Sequence, residues 1–325
     1  MNKITFRKVQ LFLFSLGYSE ITYFKEIKEG INSQVYKLRV GKDNLVVKVY
    51  NKKNKLRIKR EKIFYDYLRS IKNNNVIEPI GFNIKSNLAI FPCIEGKKIK
   101  KIKNNHIKEL LNFLRQINKK KSIKLPLAVD GIKNRNNHIK LCELKIDQMK
   151  KIRIDSLIKK KFMFFLKEKI IPKFNQIKMN YYKQKTFCIE KNNLLKDDMI
   201  VSPSDFGFHN IIQSNNKFFF FDFEYAGLDD PIKLICDFYC QPNQILTQTQ
   251  KKMFIRNIPF KKNSLKQLEL YTKIFLPFHK LKWCCIILNE FKNENINSSR
   301  KISNERNQIM KIQLRKAKIY FSKNF

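Results

Sequence analysis

Three residues in one short stretch carry the chemistry this chain could perform. Asp205 and Asn210 lie five residues apart in Ser202-Pro-Ser-Asp-Phe-Gly-Phe-His-Asn210, and Asp222 follows twelve residues later, after Phe218-Phe-Phe-Phe221. Apolar runs at 211–212 and 217–223, separated by Asn215-Asn216, predict a hairpin that sets Asp222 beside Asn210. An amide oxygen and a carboxylate held together suit a hard cation such as Mg2+. The remaining carboxylate, Asp205, is then available to orient and deprotonate a hydroxyl. Singly these residues say little, because an Asp on a loop is usually a turn or cap and Asn is abundant here. Asp222 is harder to dismiss, since an ionised group amid phenylalanines needs a partner or a metal. The joint pattern carries the reading.

The acidic residues are also concentrated against the trend of the chain. Its 325 residues hold 68 Lys and Arg against 27 Asp and Glu, a net charge of +41. Residues 197–237 nevertheless contain seven of the twelve Asp, with Glu224, against only Lys217 and Lys233, a net −6 by count. Such a cluster in a basic protein points to a metal or acid–base site. The positive charge is mostly scattered lysine in an Asn-, Ile- and Phe-rich chain. It reads as a solvated surface, so a nucleic-acid partner is disfavoured despite the net charge. The seven cysteines (Cys93, Cys142, Cys188, Cys236, Cys240, Cys284, Cys285) form no C-x-x-C pair, and no Cys/His spacing suggests zinc. With no secretory leader and no apolar run near the ~20 residues of a membrane span, the expectation is a cytoplasmic protein with reduced thiols and no membrane span.

The elements that must position the site follow from periodicity. Residues 5–16 read as a helix, 21–28, 34–40 and 45–50 as strands, 55–71 as a helix, and 79–83 and 88–92 as strands. From about 104 the pattern turns helical, over 105–118, 137–152, 155–183, 262–292 and 299–322, with β-like segments at 199–202, 211–212 and 217–223. The expected fold class is α+β: a small β-rich lobe over 1–95 and a larger, mainly helical lobe over 96–325, with a ligand cleft between them.

This order of motifs resembles the aminoglycoside phosphotransferase and choline kinase group, which shares the eukaryotic protein-kinase fold. The resemblance covers nearly the whole chain. It implies that Asp205 is catalytic, that Asn210 and Asp222 hold Mg2+, and that ATP or GTP is the phosphoryl donor. Glu29-Gly-Ile-Asn-Ser-Gln-Val-Tyr36 is similar to a reduced nucleotide loop, implying contacts from Gly30, Asn32 and Ser33. Lys48 in Val-Val-Lys-Val stands where the family has its phosphate-binding lysine, with Glu61 as the implied ion-pair partner. Phe91, Cys93 and Ile94 would form a hinge offering backbone hydrogen bonds to the base. Asp222-Phe-Glu-Tyr-Ala-Gly-Leu-Asp-Asp-Pro231 is similar to the segment after the family's metal-binding Asp. There Asp230, with Asp237 beyond, is expected to brace the loop. The helical stretch 270–291 with Trp283 is expected to pack in the core.

The implied activity is small-molecule kinase chemistry on a hydroxyl of an amino alcohol, a sugar or an aminoglycoside-like acceptor. Glu224 and Asp229 near the site would favour a cationic or polyhydroxyl acceptor. One departure stands out: the family commonly has His-Gly before the catalytic Asp, where this chain has Pro203-Ser204. His209 lies inside the loop, where bracing is its expected role. The alternatives are a catalytically silent nucleotide-binding or scaffold protein of the same fold and, behind it, a basic nucleic-acid-associated protein. Nothing in the sequence sets the oligomeric state.

Overall fold

The computed structural model describes all residues except 1–2, 28–32, 52–54, 120–123, 189–192, 261–263 and 293–299. The chain forms two compact units, residues 1–129 with 200–228 and residues 130–199 with 229–325. The sequence reading places its boundary after residue 95. Residues 96–129 and the hairpin segment fall in the first of these units.

The first unit is built on a five-stranded antiparallel sheet in the order β1-β2-β3-β5-β4. Its strands are β1 (Ile21–Ile27), β2 (Ser33–Val40), β3 (Asp43–Tyr50), β4 (Gly81–Asn83) and β5 (Leu88–Pro92). Side chains alternate across a strand, and the two faces of β3 do different things. Leu45 and Val47 join Tyr36, Leu38 and Val40 of β2 in an apolar cluster with Val9, Phe12 and Leu13 of α1 (Lys3–Ser15). Lys48 and Tyr50 point to the opposite face. Helix α2 (Lys55–Ser70) buries Ile58, Glu61, Phe64, Tyr65 and Leu68. At that 3–4 residue spacing Glu61 occupies a position in the middle of an apolar stripe.

Helix α3 (Asn104–Asn118) buries Ile107, Leu110, Leu111, Phe113, Leu114 and Ile117. Its last residue clamps strand β6 (Ile200–Ser202): the Asn118 carboxamide donates to the Val201 carbonyl at 3.0 Å and accepts from its N–H at 2.8 Å. The hairpin β7 (Ile211–Ser214) and β8 (Lys217–Phe220) pairs Ile211 with Phe220 and Ser214 with Lys217. Asn215 and Asn216 turn it with φ of 47° and 59°, the left-handed pair that a two-residue type I′ turn requires. Strand β9 (Gly227–Asp229) then carries the chain out of this unit.

The second unit is helical. It contains α4 (Asn137–Lys150), α5 (Leu157–Phe165), α6 (Ile171–Cys188), α7 (Pro231–Cys240), α8 (Gln248–Asn257), α9 (Leu265–Ile287) and α10 (Arg300–Asn324). Helix α9 is the hub, packing against α4, α6, α7, α8 and α10. Two helices exceed the sequence expectation. Asp230 caps α7, accepting from the Ile232 N–H with Pro231 in the first turn, and Thr247 with Gln250 forms a capping box on α8. The single helix expected over 155–183 is interrupted by a π-helical turn, Leu166–Ile170. Trp283 donates its indole N–H to Asp237 at 2.9 Å.

Candidate active site

The hairpin delivers the three residues singled out in the sequence. The loop between β6 and β7 rests on aromatic rings: Phe206 packs in a stack with Phe113 and Phe220, and Phe208 lies against His106. Phe113 stacks on Phe220 at 4.0 Å with 13° between the planes. That floor fixes the loop while leaving Asp205 about one-third exposed (33% of its side chain). The loop also holds unusual backbone. Ser204 has φ +66°, and its N–H is taken by Ser202 Oγ at 2.9 Å. Asp222 has φ +66° as well. Left-handed residues other than glycine or asparagine are uncommon and cost on the order of 1 kcal/mol each, and they gather at functional sites.

Asn210 is tied inward by two bonds. Its Nδ2 donates to the Asp205 carbonyl at 3.0 Å, and its own carbonyl accepts from the Phe221 N–H at 3.2 Å. The second bond sets Asn210 beside Asp222, as the hairpin register requires. Its Oδ1 has no hydrogen-bond partner among the described residues.

Lys48 joins this loop to the sheet. Its Nζ lies 2.8 Å from Glu61 Oε2, 2.5 Å from Asp222 Oδ1 and 3.2 Å from Glu224 Oε2. Burial alone would push the Lys48 ammonium down, but Asp222, Glu61, the Tyr50 hydroxyl and Glu224 outweigh it and hold it well above the usual lysine range. Glu61 is fully buried and held on three sides: by Lys48, by the Tyr50 hydroxyl at 2.5 Å, and by the Phe223 N–H at 3.1 Å. An uncompensated charge at such a depth would cost several kcal/mol, so the lysine and glutamate stabilise each other's presence.

Carboxylate oxygens of Glu61, Asp222 and Glu224 come within 4.8 Å of one another. Glu61 and Glu224 are occupied by cations and donors. Asp222 is different: its side chain is 37% exposed, and Oδ2 has no partner among the described residues. The open Asn210 Oδ1 and Asp222 Oδ2 are hard oxygen donors on adjacent backbone, so these residues fit Mg2+.

The structure also locates the other residues named from sequence. Ser33, in β2, donates to Glu224 Oε2 at 3.4 Å; Gly30 and Asn32 lie outside the described residues. Phe91 pairs with Val46 in the sheet. The Cys93 N–H is taken by the Asn44 carbonyl at 2.9 Å, so it has no proton to offer a base. Ile94 follows directly, half-buried.

The suggestion that Glu224 and Asp229 favour a cationic acceptor is corrected. Glu224 is 2% exposed and holds Arg57 at 2.9 Å besides Lys48. Asp229 is fully buried against Lys233 at 2.6 Å and the Ile132 N–H at 3.1 Å. Neither carboxylate faces solvent. Arg57, with its guanidinium 4.9 Å from the Tyr225 ring centre, and Tyr50 are site residues that sequence reading missed. An Arg one turn before Glu61 on the same helix was the available signal.

No protein-family model matches this sequence, and no curated protein matches it. Solved structures do. A spectinomycin phosphotransferase bound to ADP and spectinomycin superposes with a TM-score of 0.63 at 13% identity, covering 95% of this chain and 98% of that one. A choline kinase from Streptococcus pneumoniae gives 0.62 at 14% identity over 96% and 99% of the two chains. An ethanolamine kinase from Plasmodium vivax gives 0.57 at 15% identity over 91% and 81%. At such identities the likeness establishes the fold: the chain has the α+β, protein-kinase-like architecture of these phosphotransferases.

Proposed function

We propose that this protein is a small-molecule kinase that transfers the γ-phosphoryl group of ATP or GTP to a hydroxyl of an amino alcohol, sugar or aminoglycoside-like acceptor. One observation carries the reading: Lys48, paired with buried Glu61, reaches Asp222 on the same hairpin segment that presents Asn210 and Asp205. The fold likeness to spectinomycin, choline and ethanolamine kinases supports the same class.

In this reading Asp205 accepts the proton of the acceptor hydroxyl as its oxygen bonds to the γ-phosphorus. The bond from that phosphorus to the β–γ bridging oxygen breaks, and nucleoside diphosphate leaves. Lys48 holds phosphate oxygens as a fixed cation, positioned by Glu61 rather than recruited from solvent. Asn210 and Asp222 would hold Mg2+, which when bound neutralises charge on the phosphates.

Residues 1–95, with Ser33, Lys48 and Glu61, would serve the nucleotide, and residues 96–325 the acceptor and catalysis. Among the described residues no helix is long and apolar enough to cross a membrane, and we place the enzyme in the cytoplasm. Thermal-shift titrations with Mg-ATP and Mg-GTP, followed by an acceptor panel, test the proposal. A nucleotide-dependent rise in the unfolding midpoint and turnover of one hydroxylated acceptor are expected. Nucleotide binding with no turnover across the panel would favour a silent nucleotide-binding protein.

A further inference from the structure

The loop that carries Asp205 departs from the family pattern at Pro203-Ser204, and the structure shows what holds the carboxylate instead. His209 Nε2 lies 3.2 Å from Asp205 Oδ2. An ionised carboxylate can only accept, so the imidazole must donate, which places its proton on Nε2. This is the only hydrogen bond of the ring among the described residues, and the ring takes part in no aromatic contact there. Its side chain is 41% exposed, so it is no part of the apolar floor; Phe206 and Phe208, both buried, supply that.

The loop is thereby tied to residue 205 twice from its C-terminal side. Asn210 Nδ2 binds the Asp205 carbonyl and fixes the backbone, while His209 binds the carboxylate and restricts its rotation. From the N-terminal side Ser202 Oγ accepts from the Ser204 N–H at 2.9 Å, and the Pro203 carbonyl accepts from the Asp205 N–H at 3.0 Å. Pro203 has no N–H and no polar side chain, so its carbonyl is the polar group it brings, and these bonds hold backbone rather than the Asp205 carboxylate.

We infer that His209 is a positioning residue for Asp205: by donating from Nε2 to one carboxylate oxygen it sets the orientation in which that carboxylate meets the acceptor hydroxyl. The inference rests on Asp205 being the base, and it adds a role beyond bracing of the loop. A base misaimed by an ångström or by a rotation of its carboxylate loses on the order of 10²-fold in rate without losing substrate affinity. Removal of the donor should therefore act on kcat and leave nucleotide binding alone. A neutral amide donor at the same position should restore part of the effect, whereas a ring of similar size without a donor should not.

Two measurements test this. In the first, kcat, acceptor KM and nucleotide Kd are compared for His209→Phe, His209→Gln and Asp205→Asn in the full-length protein. His209→Phe is expected to lower kcat about 30- to 100-fold with KM, Kd and unfolding midpoint near wild type. His209→Gln should recover to within about tenfold of wild type. Equal rates for Phe and wild type, or equal losses for Phe and Gln, would overturn the inference. An Asp205→Asn variant that keeps its turnover would instead overturn the assignment of the base. The second measurement does not depend on turnover. With only four histidines in the chain, 15N-histidine NMR resolves each ring, and His209→Phe assigns the signal. The His209 Nε2 resonance should be protonated and should shift in Asp205→Asn; no shift would overturn the inference.

Discussion

Two buried ionic networks, one in each unit, use the same residue types to different ends. Around Lys48, three carboxylates meet one ammonium, and one of them, Asp222, keeps an oxygen open on a partly exposed side chain. In the helical unit, Asp237, His279, His138 and Asp230 form a hydrogen-bonded chain with contacts of 2.9, 2.8 and 3.1 Å. Lys233, Lys282 and Trp283 close around Asp237, and neither His138 nor Asp230 has any exposed side chain. Each contact in that chain needs a proton between its partners. All four ring nitrogens of the two histidines are taken within the chain, so nothing is left over for a ligand. Depth and satisfied hydrogen bonds mark the second network as a brace on α4, α7 and α9. Surplus negative charge, an open oxygen and left-handed backbone mark the first as a site.

The comparison can be broken at several points, the largest effect first. Lys48→Ala removes the cation from three carboxylates and is expected to lower turnover by about 10²- to 10³-fold, as loss of a preorganised donor does; steady-state kinetics at saturating nucleotide checks it. Asp237→Ala leaves Lys282 and Lys233 buried without their shared anion. It should cost about 3–5 kcal/mol of stability, measured as a lower denaturant midpoint at unchanged slope, with no equivalent loss from changing an exposed pair such as Lys62–Asp66.

The third test is of pH. Burial, then the charge of Lys282, holds His279 down to about 3, despite Asp237. Between about pH 6.5, the ordinary histidine value, and 3 the unfolded chain therefore binds a proton that the folded chain does not. Stability from this group is present above 6.5 and is lost as pH falls, by up to about 1.4 kcal/mol per pH unit. The stability gap between wild type and His279→Gln should narrow on acidification; a gap constant from pH 7 to 5 would contradict the brace. The smallest effect is expected at Ser33, whose 3.4 Å bond to Glu224 is long. Ser33→Ala should change nucleotide Kd by only a few-fold, measured by calorimetry.

Much of the site is legible in the sequence because it is local. The Asn215-Asn216 turn specifies the hairpin, the hairpin register sets Asn210 beside Asp222, and Lys48 in a strand followed by Glu61 on the next helix gives the ion pair. Bonds between residues far apart in sequence are not legible. Arg57 and Glu224, 167 residues apart, meet only once the sheet, helix and hairpin have assembled, and the same assembly hides Glu224 from the acceptor it was expected to attract. Asp230 illustrates a different loss. Its place before Pro231 is a helix-start signal, but within an acidic segment it reads as a brace on the loop, and α7 goes unseen. The Cys93 N–H is consumed by a β-sheet neighbour that no spacing reveals.

The most direct test of the phosphotransfer reading follows a labelled γ-phosphoryl group from ATP or GTP to acceptors in wild type and Asp205→Asn. The expected result is label on one hydroxylated acceptor in wild type, at least about 10²-fold slower transfer in the variant, and equal nucleotide affinity in both. Transfer by Asp205→Asn within a few-fold of wild type would contradict it.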